Sequence, residues 1–373
     1  MIETAAHIQS WSVRRPRWFP PEGTPDFPAG RQTFTMDASL LDRTALELVA
    51  PGKGILAADE SSGTIEKRLD SIGVESTTVT RQAYRQMLFT TPRLGASISG
   101  VILFDETIRQ KTTDGRPFVD VLVKQGIHPG IKVDLGAKPL AGFPNEEITE
   151  GLDGLRERLA EYAKLGARFT KWRAVIKIGH DFPTRGGLES NAHALARFAA
   201  LSQEAGLVPI VEPEVLMDGT HTIERHYEVT QSAQLAVFRA LAEAGVRLEG
   251  MLLKPNMILS GTEAAKQAGT PEVAAATLQC LRHTVPPAVP GIVFLSGGQA
   301  DVPATRHLNA LNQISTGPWA LTFSYGRALQ DAALKRWGGK EGNVKAAQQK
   351  LAHRAHCNSL ARRGKYTPAA EKA

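Results

Sequence analysis

Cysteine is scarce in this chain, and its scarcity excludes several classes of protein. Only two cysteines occur among 373 residues, Cys280 and Cys357, without the number or spacing of a disulfide framework or a thiolate metal site. No apolar run approaches the roughly 20 residues that a transmembrane helix needs. We therefore expect a protein of the reducing cytoplasm without a membrane partner.

Metal-type clusters and nucleotide fingerprints are also missing. The ten histidines do not gather at the ends of the predicted strands, as the ligands of a zinc site would. We interpret His221 and His226 as surface residues. No G-x-G-x-x-G motif follows the first predicted strand. The sequence therefore predicts chemistry without a metal or another cofactor.

The composition is otherwise ordinary for a globular protein, with 42% hydrophobic and 22% charged residues. A net charge of +6 would suit nucleic acid, an acidic membrane or anionic metabolites. The positions of the charges decide among these partners better than their number does. They favour a small anionic substrate, and we expect no nucleic-acid partner.

The first 35 residues differ from the rest of the chain. They are rich in proline, glycine and arginine and show neither helical nor strand periodicity. We interpret residues 1–35 as a disordered leader, or as the result of a start codon upstream of a natural start at Met36. Organellar import is the less favoured alternative, because serines are few and no amphipathic helix is evident. Residues 367–373 are expected to form a flexible tail.

Helical and strand patterns alternate over residues 36–366. A helical pattern covers residues 37–49, and alanine-rich helical patterns cover residues 191–204 and 231–244. Eight short apolar runs predict strands at residues 54–59, 100–104, 130–134, 169–175, 208–214, 248–254, 291–296 and 320–324. This α/β alternation favours a single (β/α)8 barrel over a doubly wound sheet.

Chargeable side chains stand at the ends of most predicted strands. They are Asp59, Asp105, Lys132 with Asp134, Lys171 with Arg173, Glu212 with Glu214, and Lys254. Members of each pair are two residues apart, so both face the same side of their strand. Facing outward they would meet the apolar faces of helices, so we expect them to converge inside the barrel mouth, where barrel enzymes build their active sites. Several converging charges favour catalysis over a structural role.

Lys254 is the candidate nucleophile of this cluster. Pro255 stops further ladder pairing, and the Lys254 side chain points the same way as that of Leu252, beside apolar groups. Desolvation disfavours an ammonium and favours the neutral, nucleophilic amine. The alternative is a strand-end lysine that simply reaches solvent.

Two anion sites are predicted around this mouth. The last two strands end in Ser296-Gly-Gly298 and Ser324-Tyr-Gly-Arg327, at the position where barrels often bind phosphate through backbone N–H groups. Arg327 would add a bidentate grip. The second site lies at the helix after the first strand, where the hydroxyl and basic residues are Ser61, Thr64, Lys67 and Arg68. Glu60 and Glu66 could neutralise that basic pair.

Six motifs together resemble those of the class I fructose-bisphosphate aldolases. They are Leu56-Ala-Ala-Asp-Glu-Ser61, Lys171-Trp-Arg173, Val211-Glu-Pro-Glu214, Leu253-Lys-Pro-Asn256, Leu295-Ser-Gly-Gly-Gln299 and Ser324-Tyr-Gly-Arg327. The resemblance runs in order from about Val49 to Tyr366 and touches all eight predicted strands. It implies reversible aldol cleavage of fructose 1,6-bisphosphate in glycolysis and gluconeogenesis, by a homo-oligomer that is a tetramer in the family.

The resemblance also implies roles for individual residues. Lys254 would form a Schiff base with the substrate ketone, and Glu212 would be the main acid and base. The other expected catalytic residues are Lys171, Asp59, Glu214 and Arg173. The expected phosphate contacts are Ser61, Thr64, Arg68, Lys132, Ser296, Gly297, Gly298, Ser324, Gly326 and Arg327.

Two departures from the family and two alternatives stand beside this interpretation. The first departure is the long leader of residues 1–35. The chain ends in Ala373 and lacks the terminal tyrosine of the animal relatives. A metal-dependent aldolase or sugar-phosphate isomerase on the same barrel would lose its activity in chelator. A binding or scaffold protein that kept the fold would not cleave the bisphosphate.

Overall fold

The protein is described from a computed structural model that covers residues 37–372. The predicted leader, residues 1–35, lies outside the described residues. Eight parallel strands close into a barrel. This closed sheet confirms the predicted (β/α)8 fold.

The barrel strands lie close to the predicted apolar runs. They are β1 (Gly54–Ala58), β2 (Ile98–Leu103), β3 (His128–Lys132), β6 (Phe169–Ile176), β7 (Val208–Val215), β8 (Leu252–Leu253), β9 (Gly291–Phe294) and β10 (Ala320–Tyr325). A small antiparallel hairpin, β4 (Ala137–Pro139) and β5 (Glu147–Thr149), follows β3. The sequence reasoning missed this hairpin.

Helices surround the barrel and also close its bottom. They are α1 (Ala38–Leu48), α2 (Ser62–Asp70), α3 (Thr78–Phe89), α4 (Asp105–Ile108), α5 (Phe118–Val123), α6 (Leu155–Lys164), α7 (Arg185–Glu204), α8 (Ile223–Glu243), α9 (Thr270–Thr284), α10 (Asp301–Ile314), α11 (Arg327–Trp337) and α12 (Val344–Arg362). None of the helices in the described residues is long and apolar enough to cross a membrane.

The lower half of the barrel interior is apolar. Inward-facing side chains such as Phe169 and Val208 form one cluster with Leu41 and Leu48 of α1, so this helix seals the end where the strands begin. Gly130 makes room for the Phe169 ring, because a Cβ at Gly130 would lie 2.3 Å from ring carbons. The polar part of the barrel interior therefore lies where the strands end.

Strand β7 shows how one strand serves both halves. Val208 and Ile210 belong to the lower apolar cluster, and Glu212 and Glu214 continue the same face into the mouth. In register, Arg173 of β6 lies beside Glu212. On the outward face of β6, Trp172 stacks on Phe198 of α7 at 5.6 Å between ring centroids. The alternation that the sequence predicted for these strands is confirmed.

The C-terminal residues form a short 3-10 helix, Pro368–Lys372. Glu371 accepts a hydrogen bond from the Tyr366 hydroxyl at 2.6 Å and forms an ion pair with the buried Arg354 of α12. The predicted flexibility of the tail stays a prediction. Any release of the tail has to break these two contacts.

Candidate active site

Four charged side chains meet just above the apolar half of the barrel. Lys171 Nζ lies 2.6 Å from Asp59 Oδ2 and 3.4 Å from Glu212 Oε2. Lys254 Nζ lies 3.0 Å from Glu212 Oε1. Lys254 follows the last residue of β8, and its N–H still donates to Val211 at 2.8 Å, so the strand fixes its direction. Two carboxylates and two amines thus share one small buried volume.

The charges in this cluster support one another. Burial alone would raise the pKa of Asp59, but the nearby lysines, Lys171 first and Lys254 next, outweigh it and hold the pKa far below its usual range. Burial alone would lower the pKa of Lys171, but Asp59 and Glu212 outweigh it and raise that pKa. Asp59 is therefore a carboxylate and Lys171 an ammonium at neutral pH.

A second layer of charges lies nearer the opening. Lys132 Nζ is 2.5 Å from Asp134 Oδ1, and the backbone N–H of Arg173 donates to Asp134 Oδ2 at 3.3 Å. The Arg173 side chain forms an ion pair with Glu214. The pairs predicted from a spacing of two residues therefore do converge, although β3 ends at Lys132 and Asp134 lies in the loop that follows.

The loop after Lys254 is held from behind by His226. The Leu259 N–H donates to His226 Nδ1 at 2.8 Å, which leaves the proton on Nε2, 3.3 Å from the Val215 carbonyl. Asn256 accepts from the Val215 N–H at 3.0 Å. Burial lowers the pKa of His226 to about 4. The prediction that His226 is a surface residue is wrong, because this histidine faces the loop and is fully buried.

One end of the mouth suits an anion. Gly297 and Gly298 have φ values of 60° and 97°, a backbone region that glycine adopts without strain. Ser296 and Ser324 are buried beside them, and the Ser324 Oγ has no hydrogen-bond partner within the described part of the chain. Arg327 opens α11 at the same end. These hydroxyl, backbone N–H and guanidinium groups line the same cavity. Their binding of phosphate stays a prediction.

The start of α2 forms the other end. The Ser61 and Thr64 hydroxyl groups lie 3.1 Å apart, and the Ser61 side chain makes no capping bond, so both face the cavity. Arg68, from the same helix, reaches toward Gly326 instead: a Cβ at Gly326 would be 3.4 Å from Arg68 Nη2. Arg68 therefore belongs with the Arg327 end. Lys67 lies outside the cavity lining.

Two further outcomes concern residues near this mouth. Asp105 was expected to converge with the other strand-end charges, but its carboxylate binds Arg109 and the Tyr162 hydroxyl instead. It begins α4, which turns it away from the barrel axis.

The sequence reasoning missed Arg85, which forms an ion pair with Glu60 behind Arg68. The available signal was an arginine among the apolar residues of an amphipathic helix.

Apart from Lys67 and Asp105, the predicted site residues border one cavity of about 460 Å³. Its floor holds the Lys254 and Lys171 amines, and anion-binding groups flank it on two sides. Within the described residues, the side chains near enough to one another to hold a metal are His353, Cys357 and Glu371, on α12 and the tail. The amines and carboxylates of the floor equip the cavity for covalent and acid–base chemistry, and the donors at its two ends suit a ligand with an anionic group at each end.

Comparisons with known proteins agree on one family. The chain matches the family model for fructose-bisphosphate aldolase class-I over residues 40–373. A probable fructose-bisphosphate aldolase class 1 of Xanthomonas campestris is 58% identical over 332 residues, 89% of this chain and 99% of the relative. Fructose-bisphosphate aldolase 2 of Caenorhabditis elegans is 54% identical over 327 residues, 87% of this chain and 89% of the relative.

A solved structure shows the same architecture. The fructose-bisphosphate aldolase of Plasmodium falciparum, in complex with TRAP and a small molecule inhibitor, superposes with a TM-score of 0.87 at 51% sequence identity. The match covers 88% of this chain and 95% of that one.

Proposed function

The chain belongs to the class I fructose-bisphosphate aldolase family, and from that premise we propose that it cleaves fructose 1,6-bisphosphate reversibly through a Schiff base on Lys254. The products are dihydroxyacetone phosphate and glyceraldehyde 3-phosphate. The observation that carries the proposal is the 3.0 Å contact between Lys254 Nζ and Glu212 Oε1 in a buried cluster that also holds Lys171 and Asp59.

The first step makes Lys254 a nucleophile. A proton passed from Lys254 to Glu212 leaves a neutral amine and a neutral acid, an exchange that burial favours because two charges disappear from a poorly solvated site. The amine attacks the C2 carbonyl of the open-chain sugar. Glu212 then returns its proton to the departing hydroxyl, and water and the iminium form.

The second step breaks the C3–C4 bond. The iminium withdraws the electron pair of that bond, and Asp59 accepts the proton of the C4 hydroxyl as the aldehyde forms. Lys171 contacts both Asp59 and Glu212, so its ammonium can stabilise whichever of the two carboxylates is ionised as protons move. Glyceraldehyde 3-phosphate leaves, and the enamine takes a proton at C3 from Glu212 or a bound water. The proton that Asp59 accepted replaces the one given up, and hydrolysis of the iminium then releases dihydroxyacetone phosphate from Lys254.

The two anionic ends of the cavity orient the substrate. The phosphorus of the C1 phosphate is three bonds from the C2 carbon that Lys254 attacks, and β9 is a strand next to β8. We therefore assign this phosphate to the end formed by Ser296, Gly298 and Arg327. The other phosphate goes to Ser61, Thr64 and Lys132. Glu214 and Arg173 complete the wall between the two ends.

The setting of the activity is part of the proposal. We place the enzyme in glycolysis and gluconeogenesis, in the cytoplasm, as a homo-oligomer, with import through the leader as the less favoured alternative. The Lys254 mechanism requires neither a cofactor nor a metal.

The direct test is cleavage of fructose 1,6-bisphosphate in a coupled assay that consumes glyceraldehyde 3-phosphate. We expect turnover that is unchanged after incubation with EDTA. Loss of turnover in chelator would favour a metal-dependent lyase, and absence of turnover under all conditions would favour a binding protein on the same barrel.

A further inference from the structure

Arg85 is a buried cation that does not border the cavity. It lies in α3 with 2% of its surface exposed, and its Nη2 is 2.5 Å from Glu60 Oε2. Its guanidinium carbon lies 5.6 Å from the centroid of the Tyr84 ring. A buried charge is retained only when it is paired, so the role of Arg85 depends on what Glu60 does.

Glu60 is shared between two arginines. Its Oε1 lies 2.6 Å from Arg68 Nη1 and accepts a hydrogen bond from Gln330 Nε2 at 2.9 Å. Gln330 is itself fixed, since it accepts from the Tyr84 hydroxyl at 2.8 Å and donates to the Ala57 carbonyl at 2.6 Å. Burial alone would raise the pKa of Glu60, but Arg68 and Arg85 outweigh it and lower that pKa.

This sharing decides where Arg68 points. The short contact from Arg68 to Glu60 is made by Nη1 on Oε1, and that from Arg85 is made on Oε2, while Arg68 Nη2 lies against Gly326 at the cavity. Two cations on one carboxylate also leave positive charge for an anionic ligand. Without Arg85, Glu60 Oε2 would lose its guanidinium contact, and Arg68 could bind both Glu60 oxygens in a bidentate pair that turns Nη2 away from the cavity.

We propose that Arg85 is a positioning residue for the substrate phosphate: by occupying one oxygen of Glu60, it keeps Arg68 directed at the phosphate end formed by Gly326 and Arg327. The identity of the ligand rests on the proposed function. The geometry of the three charged side chains does not depend on it.

The central variant is Arg85→Gln, tested with three probes. Calorimetry measures the affinity for inorganic phosphate, and borohydride trapping measures the apparent affinities for dihydroxyacetone phosphate and for unphosphorylated dihydroxyacetone. We expect both phosphate-bearing probes to bind about tenfold more weakly, the lower end of the loss of one charge-assisted hydrogen bond. Trapping of dihydroxyacetone should not change, because the Lys254 cluster is intact.

A double-mutant cycle separates positioning from general support of the fold. If Arg85 acts through Arg68, then Arg85→Gln has no further effect on phosphate affinity in an Arg68→Gln background. Arg81→Gln is the matched control. Arg81 lies in α3, as Arg85 does, and the substitution removes its ion pair with Glu106 of α4, 2.6 Å between Nη2 and Oε1. Both residues lie outside the cavity lining. It should leave all three affinities unchanged.

Each outcome decides the proposal. Equal loss for dihydroxyacetone, or effects of Arg85→Gln and Arg68→Gln that add independently, would overturn it.

If Arg85→Gln does not fold, as judged by circular dichroism, Arg85→Lys takes its place. A lysine can still contact Glu60, but its shorter side chain holds the carboxylate less firmly. About threefold weaker phosphate binding is then expected, under 1 kcal/mol, and unchanged binding would refute the proposal. A wild-type enzyme that neither ketone labels would refute the proposed function, while the calorimetric result would still decide the role of Arg85.

Discussion

Lys171→Met is the substitution with the clearest electrostatic consequence. Methionine nearly keeps the length of the side chain but removes the ammonium that lies 2.6 Å from Asp59 and 3.4 Å from Glu212. Both carboxylates are poorly solvated, so they feel the loss strongly. Burial then acts on Asp59 against a weaker opposing charge, and the pKa of Asp59 must rise.

The size of the change follows from the neighbours that stay. An opposite charge within about 4–6 Å lowers a carboxyl pKa by about 1–3 pH units, so removal of Lys171 should raise the pKa of Asp59 by a similar amount. Lys254 and Lys132 continue to lower it, so the reversal is not complete. Asp59 acts as a carboxylate in the proposed cleavage step, so the acid limb of kcat against pH should move to higher pH. Turnover at the optimum should fall by about 10²- to 10⁴-fold, the usual contribution of a positioned acid or base.

The assay is a pH profile of fructose 1,6-bisphosphate cleavage. Lys177→Met is the matched control. Lys177 directly follows β6, the strand that carries Lys171, and forms an ion pair with Glu147 near the surface. Its profile should overlay the wild type. A Lys171→Met enzyme that is slow but keeps the wild-type acid limb would refute the electrostatic coupling between Lys171 and Asp59.

Three further predictions concern the phosphate site and the two ends of the chain. Arg327→Ala should weaken binding of dihydroxyacetone phosphate by about ten- to a hundredfold, for one charge-assisted contact, but leave trapping of dihydroxyacetone unchanged; equal loss for both ligands would assign Arg327 to the fold. A chain that starts at Met36 is predicted to keep its activity and Tm, because a composition rich in proline, glycine and arginine is typical of segments that do not support a fold. A fall of several degrees would contradict this prediction. Deletion of residues 367–373 should change turnover by less than about threefold. It should lower the free energy of unfolding by about 1–3 kcal/mol, because Arg354 loses its contact with Glu371. Proton exchange on dihydroxyacetone phosphate that is a hundredfold slower would show that the tail is catalytic.

The sequence predicted the barrel and its charged mouth because both follow from a period of two. Val208, Ile210, Glu212 and Glu214 alternate along one strand, and the change from apolar to acidic marks the height at which the cavity begins. A spacing of two residues also told which charges face the same way. Helix starts were less accurate: α8 begins at Ile223 rather than at 231, because its first two turns mix charged with apolar residues and its start is fixed by the Thr222 cap.

What the sequence could not give is contact between distant segments. His226 reads as a polar residue on a helix, and its burial depends on the loop after Lys254 folding over it. Arg85 and Gln330 meet Glu60 only because α3 and α11 are neighbours around the barrel. Asp105 follows a strand as the catalytic residues do, but it begins a helix and binds Arg109.

The identity of the nucleophile is the central claim, and borohydride reduction with dihydroxyacetone phosphate followed by peptide mapping tests it most directly. The account predicts irreversible inactivation, with the label on the peptide that contains Lys254, and Lys254→Met should lose both the label and essentially all turnover. The structure offers two other amines in the same cavity, Lys171 at 2.6 Å from Asp59 and Lys132 at 2.5 Å from Asp134. A label on either of these lysines, with Lys254 unmodified, would contradict the account.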